Sequence, residues 1–122
     1  MSARSIQNKH KQWYLGKSLD GFTPMGPWIV TADEFVFPPQ MQLESRVNGE
    51  LRQHSSTDLM IYDIPFIIEE LTEGMTMLAG SIISTGTPAG VGMGFSPPRF
   101  LKKGDVVECS VSGIGTLRNT IG

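Results

Sequence analysis

Through residues 41–47, MQLESRV, Met41, Leu43, Ser45 and Val47 alternate with Gln42, Glu44 and Arg46, the period-two pattern of a strand with one face turned inward. Asn48-Gly49 follows, the pair that supplies the positive φ angles of a two-residue type I′ turn. ELRQHSS then returns as the second strand of a hairpin, ending near His54. Further on the period lengthens: Ile64, Ile67, Ile68 and Leu71 oppose Glu69, Glu70 and Glu73, which predicts a helix that packs on one face. Asp63 is placed to cap it, Pro65 is tolerated in its first turn, and Gly74 ends it. GSIIST from Gly80 reads as a buried strand, and KKGDVVECSV with GTLRNTI reads as an antiparallel pair. The opening SARSIQNKHKQWYLG departs from this β character. Ser2 can cap a helix, Ile6 and Trp13 suit one apolar stripe, and Gly16 can close it, giving one amphipathic helix of about three turns.

Composition supports a mixed, β-rich α+β fold in a single unit over residues 1–122. Fourteen glycines and eight prolines are spread along the chain rather than gathered in a linker, which suits many short elements joined by tight turns. With 39% hydrophobic residues, 18% charged residues and a net charge of −2, the chain has ordinary globular composition and the size for one modest core. Its basic residues are scattered among acidic ones, and Lys102-Lys103 beside Gly104-Asp105 reads as a solvated loop, so no positive footprint for nucleic acid is present. Cys109 is the sole cysteine. That excludes an internal disulfide and fits a reducing compartment. No apolar stretch approaches a membrane span, and the N-terminus lacks the basic-then-apolar layout of a signal peptide. The expectation is a cytoplasmic, soluble protein with no membrane partner.

Candidate chemistry centres on Thr85-Gly86-Thr87-Pro88-Ala89-Gly90-Val91-Gly92. A phosphate-binding P-loop needs a lysine and a hydroxyl directly after its last glycine, and a dinucleotide fingerprint needs a helix opening there. Neither follows, because Pro97-Pro98 come soon after and oppose a helix start. Bare backbone N–H groups and the Thr87 hydroxyl suit close approach to a carboxylate or oxyanion. Taken alone, the spacing favours a plain turn.

Three segments read together carry more. Ser2-Ala3-Arg4 with Gln7, then Gly16-Lys17-Ser18-Leu19-Asp20 with residues 24–31, PMGPWIVT, then residues 85–92, TGTPAGVG, resemble the fumarylacetoacetate hydrolase family in order and spacing. Phe100-Leu101-Lys102-Lys103-Gly104-Asp105 is similar to the same family, and the resemblance covers almost the whole chain. It implies a rolled β-barrel or mixed β-sandwich, in a homodimer, binding a divalent metal and handling small 2-oxo or 1,3-diketo acids. Members hydrolyse carbon–carbon bonds, decarboxylate oxaloacetate, or isomerise unsaturated dicarboxylates. They use a metal as Lewis acid to stabilise an enolate, with cationic and hydrogen-bonding side chains holding the remaining oxygens. By this resemblance Lys17 is the catalytic lysine that supports the substrate carboxylate or developing oxyanion, and Arg4, Gln7 and Thr87 join it as substrate-binding residues. Each also has a plainer role. Lys17 and Gln7 suit the surface, Arg4 suits pairing with an acidic side chain, and Thr87 suits capping its own turn.

The departures from the family are equally specific. Members carry a Glu-x-Glu pair and an aspartate ahead of the Val-Ser-Ala-Arg stretch, which together hold the metal, whereas here the sequence opens at Met1-Ser2-Ala3-Arg4 and Ser5 stands where aspartate is common. The expectation is the C-terminal portion of a fumarylacetoacetate hydrolase-like catalytic domain, incomplete at its N-terminus and inactive alone. The full-length enzyme would use magnesium or manganese. The residues present offer no replacement site: Asp33 and Glu34 are adjacent and diverge, Glu69, Glu70 and Glu73 suit a solvated helix face, and His10 and His54 lack partners at ligand spacing. Two functions remain open. One is a piece of a metal-dependent hydrolase, decarboxylase or isomerase; the other is a non-catalytic stand-alone module that keeps the fold and an oligomerising surface.

Overall fold

The computed structural model describes residues 1–11 and 13–122. Its centre is a four-stranded antiparallel sheet of order β2-β1-β3-β4, in which β1 is Gln42–Val47, β2 Glu50–Ser56, β3 Val106–Val111 and β4 Gly115–Thr120. Helix α1 (Arg4–His10) precedes the sheet and helix α2 (Ile64–Gly74) lies between its two hairpins. Short 3-10 turns at Leu15–Lys17, Ala32–Glu34, Thr57–Leu59 and Gly92–Gly94 shape the connections. This is the β-rich α+β architecture that the patterning predicts. Among the described residues, no helix is long and apolar enough to cross a membrane.

The first hairpin forms as expected, with Asn48 at φ 51° and Gly49 at φ 82° in its turn. Val47 pairs with Glu50 and Arg46 with Leu51, but Ser45 then pairs with Gln53. Arg52 is therefore an extra residue on β2, a β-bulge that shifts the rest of the strand by one position. Because opposed residues share a face, Gln53 and Ser45 stand with Leu43, Val47, Val107 and Leu117 on one side of the sheet. The other side is charged. Glu44 meets Arg46 at 3.1 Å and His54 at 3.4 Å, and Glu108 meets Arg118 at 3.4 Å. His54 thus sits inside β2 rather than closing it.

Helix α2 also follows its sequence. The Asp63 carboxylate accepts from the Phe66 N–H at 2.8 Å, Pro65 occupies the first turn, and Gly74 is the last helical residue. Ile67 and Leu71 line a groove of about 830 Å³ together with Met75, Met77 and Ile83, while Ile68 faces outward.

Two expected elements differ. Ser2–Gly16 is not one three-turn helix: α1 has seven residues, Ala3 rather than Ser2 stands at its N-cap, and no side chain caps it. Lys11, in a left-handed conformation, ends α1 by donating its N–H to the Gln7 carbonyl. Gln12, inside the expected helix, lies outside the described residues. The chain turns back because the Ala3 N–H donates to the Gly16 carbonyl at 2.8 Å, a contact that a continuous helix would pull apart. Residues 80–85 form no strand either, and Ile82 is exposed. A strand needs a neighbour for its N–H and C=O groups, and among the described residues none pairs with this segment.

Candidate functional site

Two turns carry the predicted site residues, and each is built around a glycine with no room for a side chain. At the first, a Cβ on Gly16 would stand 2.5 Å from Gln7 Cγ and 3.0 Å from the Ala3 carbonyl oxygen. The missing side chain lets Gln7 sink beneath the turn until it is 3% exposed. Its amide is then engaged at both ends, accepting from Arg4 Nη1 at 2.9 Å and donating to the Trp13 carbonyl at 3.1 Å. Gln7 is therefore a buried tie between α1 and the turn, not a surface residue. Arg4 is half-buried, and Lys17, at the end of the 3-10 turn, is exposed. Among the described residues neither forms an ion pair with a carboxylate, so both cations keep donors for an incoming anion.

The second turn is the glycine-rich loop. A Cβ on Gly90 would overlap the Arg52 carbonyl oxygen, so the loop lies directly on the backbone of the β2 bulge. Next to that contact, Gln53 Nε2 donates to Thr87 Oγ1 at 2.8 Å and to the Pro88 carbonyl at 2.9 Å. Its Oε1 accepts from the Ser45 hydroxyl at 2.9 Å. A further clamp follows. Glu50 holds Arg52 at 3.2 Å and Arg99 at 2.7 Å, and both guanidinium groups stand over the Phe95 ring, at 5.2 and 4.9 Å from its centroid. Arg52 Nε is buried without a hydrogen-bond partner.

The structure brings Arg4, Gln7 and Lys17 onto one turn and puts Thr87 on another, with no hydrogen bond between the two groups among the described residues. The sheet relates them. Gln53, Ser45, Cys109 and Leu117 follow one another across the four strands on the same face. Thr87 stands over the Gln53 end of that row. The Met1 backbone nitrogen lies near Cys109, whose thiol pKa is raised by partial burial. Strands are about 4.8 Å apart, so roughly 10 Å separates the Gln53 and Cys109 positions.

A divalent cation needs several oxygens converging on one point. Among the described residues, no three His, Cys, Asp or Glu side chains come together, and Glu50 beside the glycine-rich loop is already paired with Arg52 and Arg99. These residues on their own do not fit a metal.

The sequence reading missed Gln53, Ser45 and the Arg52–Arg99 clamp. Counted back from the Asn48-Gly49 turn, an unbroken ladder pairs Ser45 with residue 52. Only the bulge brings Gln53 opposite Ser45, and nothing in the alternation announces it.

The family model for the fumarylacetoacetate hydrolase C-terminal region matches residues 1–122. The chain is 52% identical over its whole length to the oxaloacetate tautomerase YisK of Bacillus subtilis, of which it covers 40%. Among solved structures, a fumarylacetoacetate hydrolase from the psychrophile Exiguobacterium antarcticum superposes with a TM-score of 0.94 at 53% identity, over 98% of this chain and 43% of that one. A 2-hydroxyhepta-2,4-diene-1,7-dioate isomerase from Mycobacterium marinum gives 0.84 at 45% identity, over 98% and 44%. The chain thus spans about two fifths of the length of the relatives it matches.

Proposed function

This chain belongs to the fumarylacetoacetate hydrolase family, and from that premise we propose that it is the C-terminal part of a catalytic domain acting on small 2-oxo or dicarboxylic acids. In this reading Lys17 and Arg4 bind the acid's carboxylate and developing oxyanion, Thr87 donates to a further oxygen, and Gln7 holds Arg4 in place. The protein works as a homo-oligomer in the cytoplasm.

The observation that carries the reading is the state of the two cations. Arg4 and Lys17 share one turn, with no carboxylate partner among the described residues. Two such cations suit an acid whose negative charge grows as it is converted to its enolate, because donors fixed in advance need not reorganise as charge develops. Hydrolysis, decarboxylation and tautomerisation all pass through such charge, so one binding arrangement serves any of them. A divalent cation, magnesium or manganese, would supply Lewis-acid polarisation in the full-length enzyme only on ligands that the described residues of this chain do not provide. The residues of this chain bind and orient the acid.

The test is steady-state kinetics on the protein expressed from its native reading frame, with oxaloacetate, an acylpyruvate and an unsaturated 2-hydroxy dicarboxylate as substrates. Saturable turnover of at least one supports the reading. Absence of turnover on all three, with the assembly intact, favours the non-catalytic module instead.

A further inference from the structure

We propose that Gln53, on β2, is a positioning residue that orients the Thr87 hydroxyl and leaves its proton free to donate to the bound acid. The inference rests on the reading that Thr87 contacts substrate, and it begins with the Gln53 amide. The Pro88 carbonyl can only accept a hydrogen bond. The group 2.9 Å from it must therefore be the amide nitrogen, Nε2, and Oε1 must face Ser45. With that orientation set, the second N–H of Nε2 points at Thr87 Oγ1, 2.8 Å away. Thr87 is forced to accept there, and its own proton is left free, since among the described residues it donates to nothing. Ser45, by donating to Oε1 at 2.9 Å, keeps the amide from turning over. A hydroxyl whose inward lone pair is taken by Gln53 keeps its proton turned outward, placed to donate to an anionic oxygen. The specificity of the loop for acids is thus written one residue beyond the bulge.

Gln53→Glu tests this, because it keeps the side chain's shape and removes both donors. The carboxylate introduced there would draw the Thr87 proton inward. On the protein from its native reading frame, Gln53→Glu and Thr87→Val should each raise KM by roughly three- to tenfold, the loss of one hydrogen bond, and the double variant should be no worse than the weaker single. Thr87→Ser should retain most of the affinity. If Gln53 were only structural, its substitution would lower the melting temperature with KM unchanged, and that outcome, or a KM effect that simply added to that of Thr87→Val, would overturn the proposal. If Thr87→Val itself leaves KM unchanged, it is the substrate role of Thr87 that fails. Should Gln53→Glu not fold, Ser45→Ala carries the test. A several-fold rise in KM that disappears in the Thr87→Val background supports the proposal, and an additive effect, or none, contradicts it.

Discussion

Gly90 shows at the scale of one residue what the sequence could and could not say. Its place in a glycine-rich loop was plain, and the loop's fitness for close approach followed from that. What it approaches was not: the Arg52 carbonyl, exposed by a bulge that leaves no mark in the pattern. Gly90 has φ 102°, and its added Cβ would meet backbone, which cannot swing aside as a side chain would. Gly90→Ala should therefore cost roughly 2–3 kcal/mol from strain at a positive φ and loss of the contact. Urea unfolding reads the loss directly, whereas a midpoint unchanged from wild type would mean the loop does not rest on β2. Arg4, Gln7 and Lys17 were legible as candidates through the family resemblance of the segments that carry them. The buried position of Gln7 was not. That burial depends on Gly16 coming back over α1, a contact across the turn rather than along the helix.

Among the elements, the two hairpins and α2 were legible because each is closed by its own residues: Asn48-Gly49, Asp63 with Pro65, and the strand pair 106–120. The first helix and the segment 80–85 were not, because their outcome is set by distant partners. A link between the hairpins is likewise set at a distance. Asn48 Nδ2 donates to Asp105 Oδ1 at 2.9 Å, the Lys102 N–H donates to Asp105 Oδ2 at 2.8 Å, and Asn48 Oδ1 accepts from the Val106 N–H at 2.8 Å. The Asn48 bond first, then the Lys102 N–H, hold the Asp105 carboxyl below its usual pKa. A carboxyl with a depressed folded-state pKa stabilises fully above its unfolded value and stops doing so as pH falls through the folded one. The expected outcome is that Asp105→Ala lowers the melting temperature near neutral pH, and that its difference from wild type shrinks below about pH 4. A difference that stayed constant down to pH 2 would show that the charged form of Asp105 contributes nothing.

The whole molecule is open. It exposes 9361 Å² and has no fully buried apolar side chain among the described residues, whereas a compact monomer of this mass exposes roughly 6,500 Å². Leu43, Val107 and Leu117 on one sheet face are only half-buried, and Trp28, Ile29 and Ile82 stand in solvent. The excess, about 2,900 Å², exceeds what a standard protein interface buries. The 122-residue chain alone should therefore bind an apolar dye and sediment as a dimer or larger, and a monodisperse monomer with no dye signal would contradict this. The central claim, that the turn carrying Lys17 supports the charge of a small acid, is tested most directly by the kinetics of Lys17→Met in the protein from its native reading frame. Because the exposed ammonium is exchanged for a side chain of similar length, the melting temperature should hold. The turnover number should fall on the order of a hundredfold, and by more than KM rises, as for the loss of a charged donor to a developing oxyanion. An unchanged turnover number with a lowered melting temperature would make Lys17 a structural residue and remove it from the site.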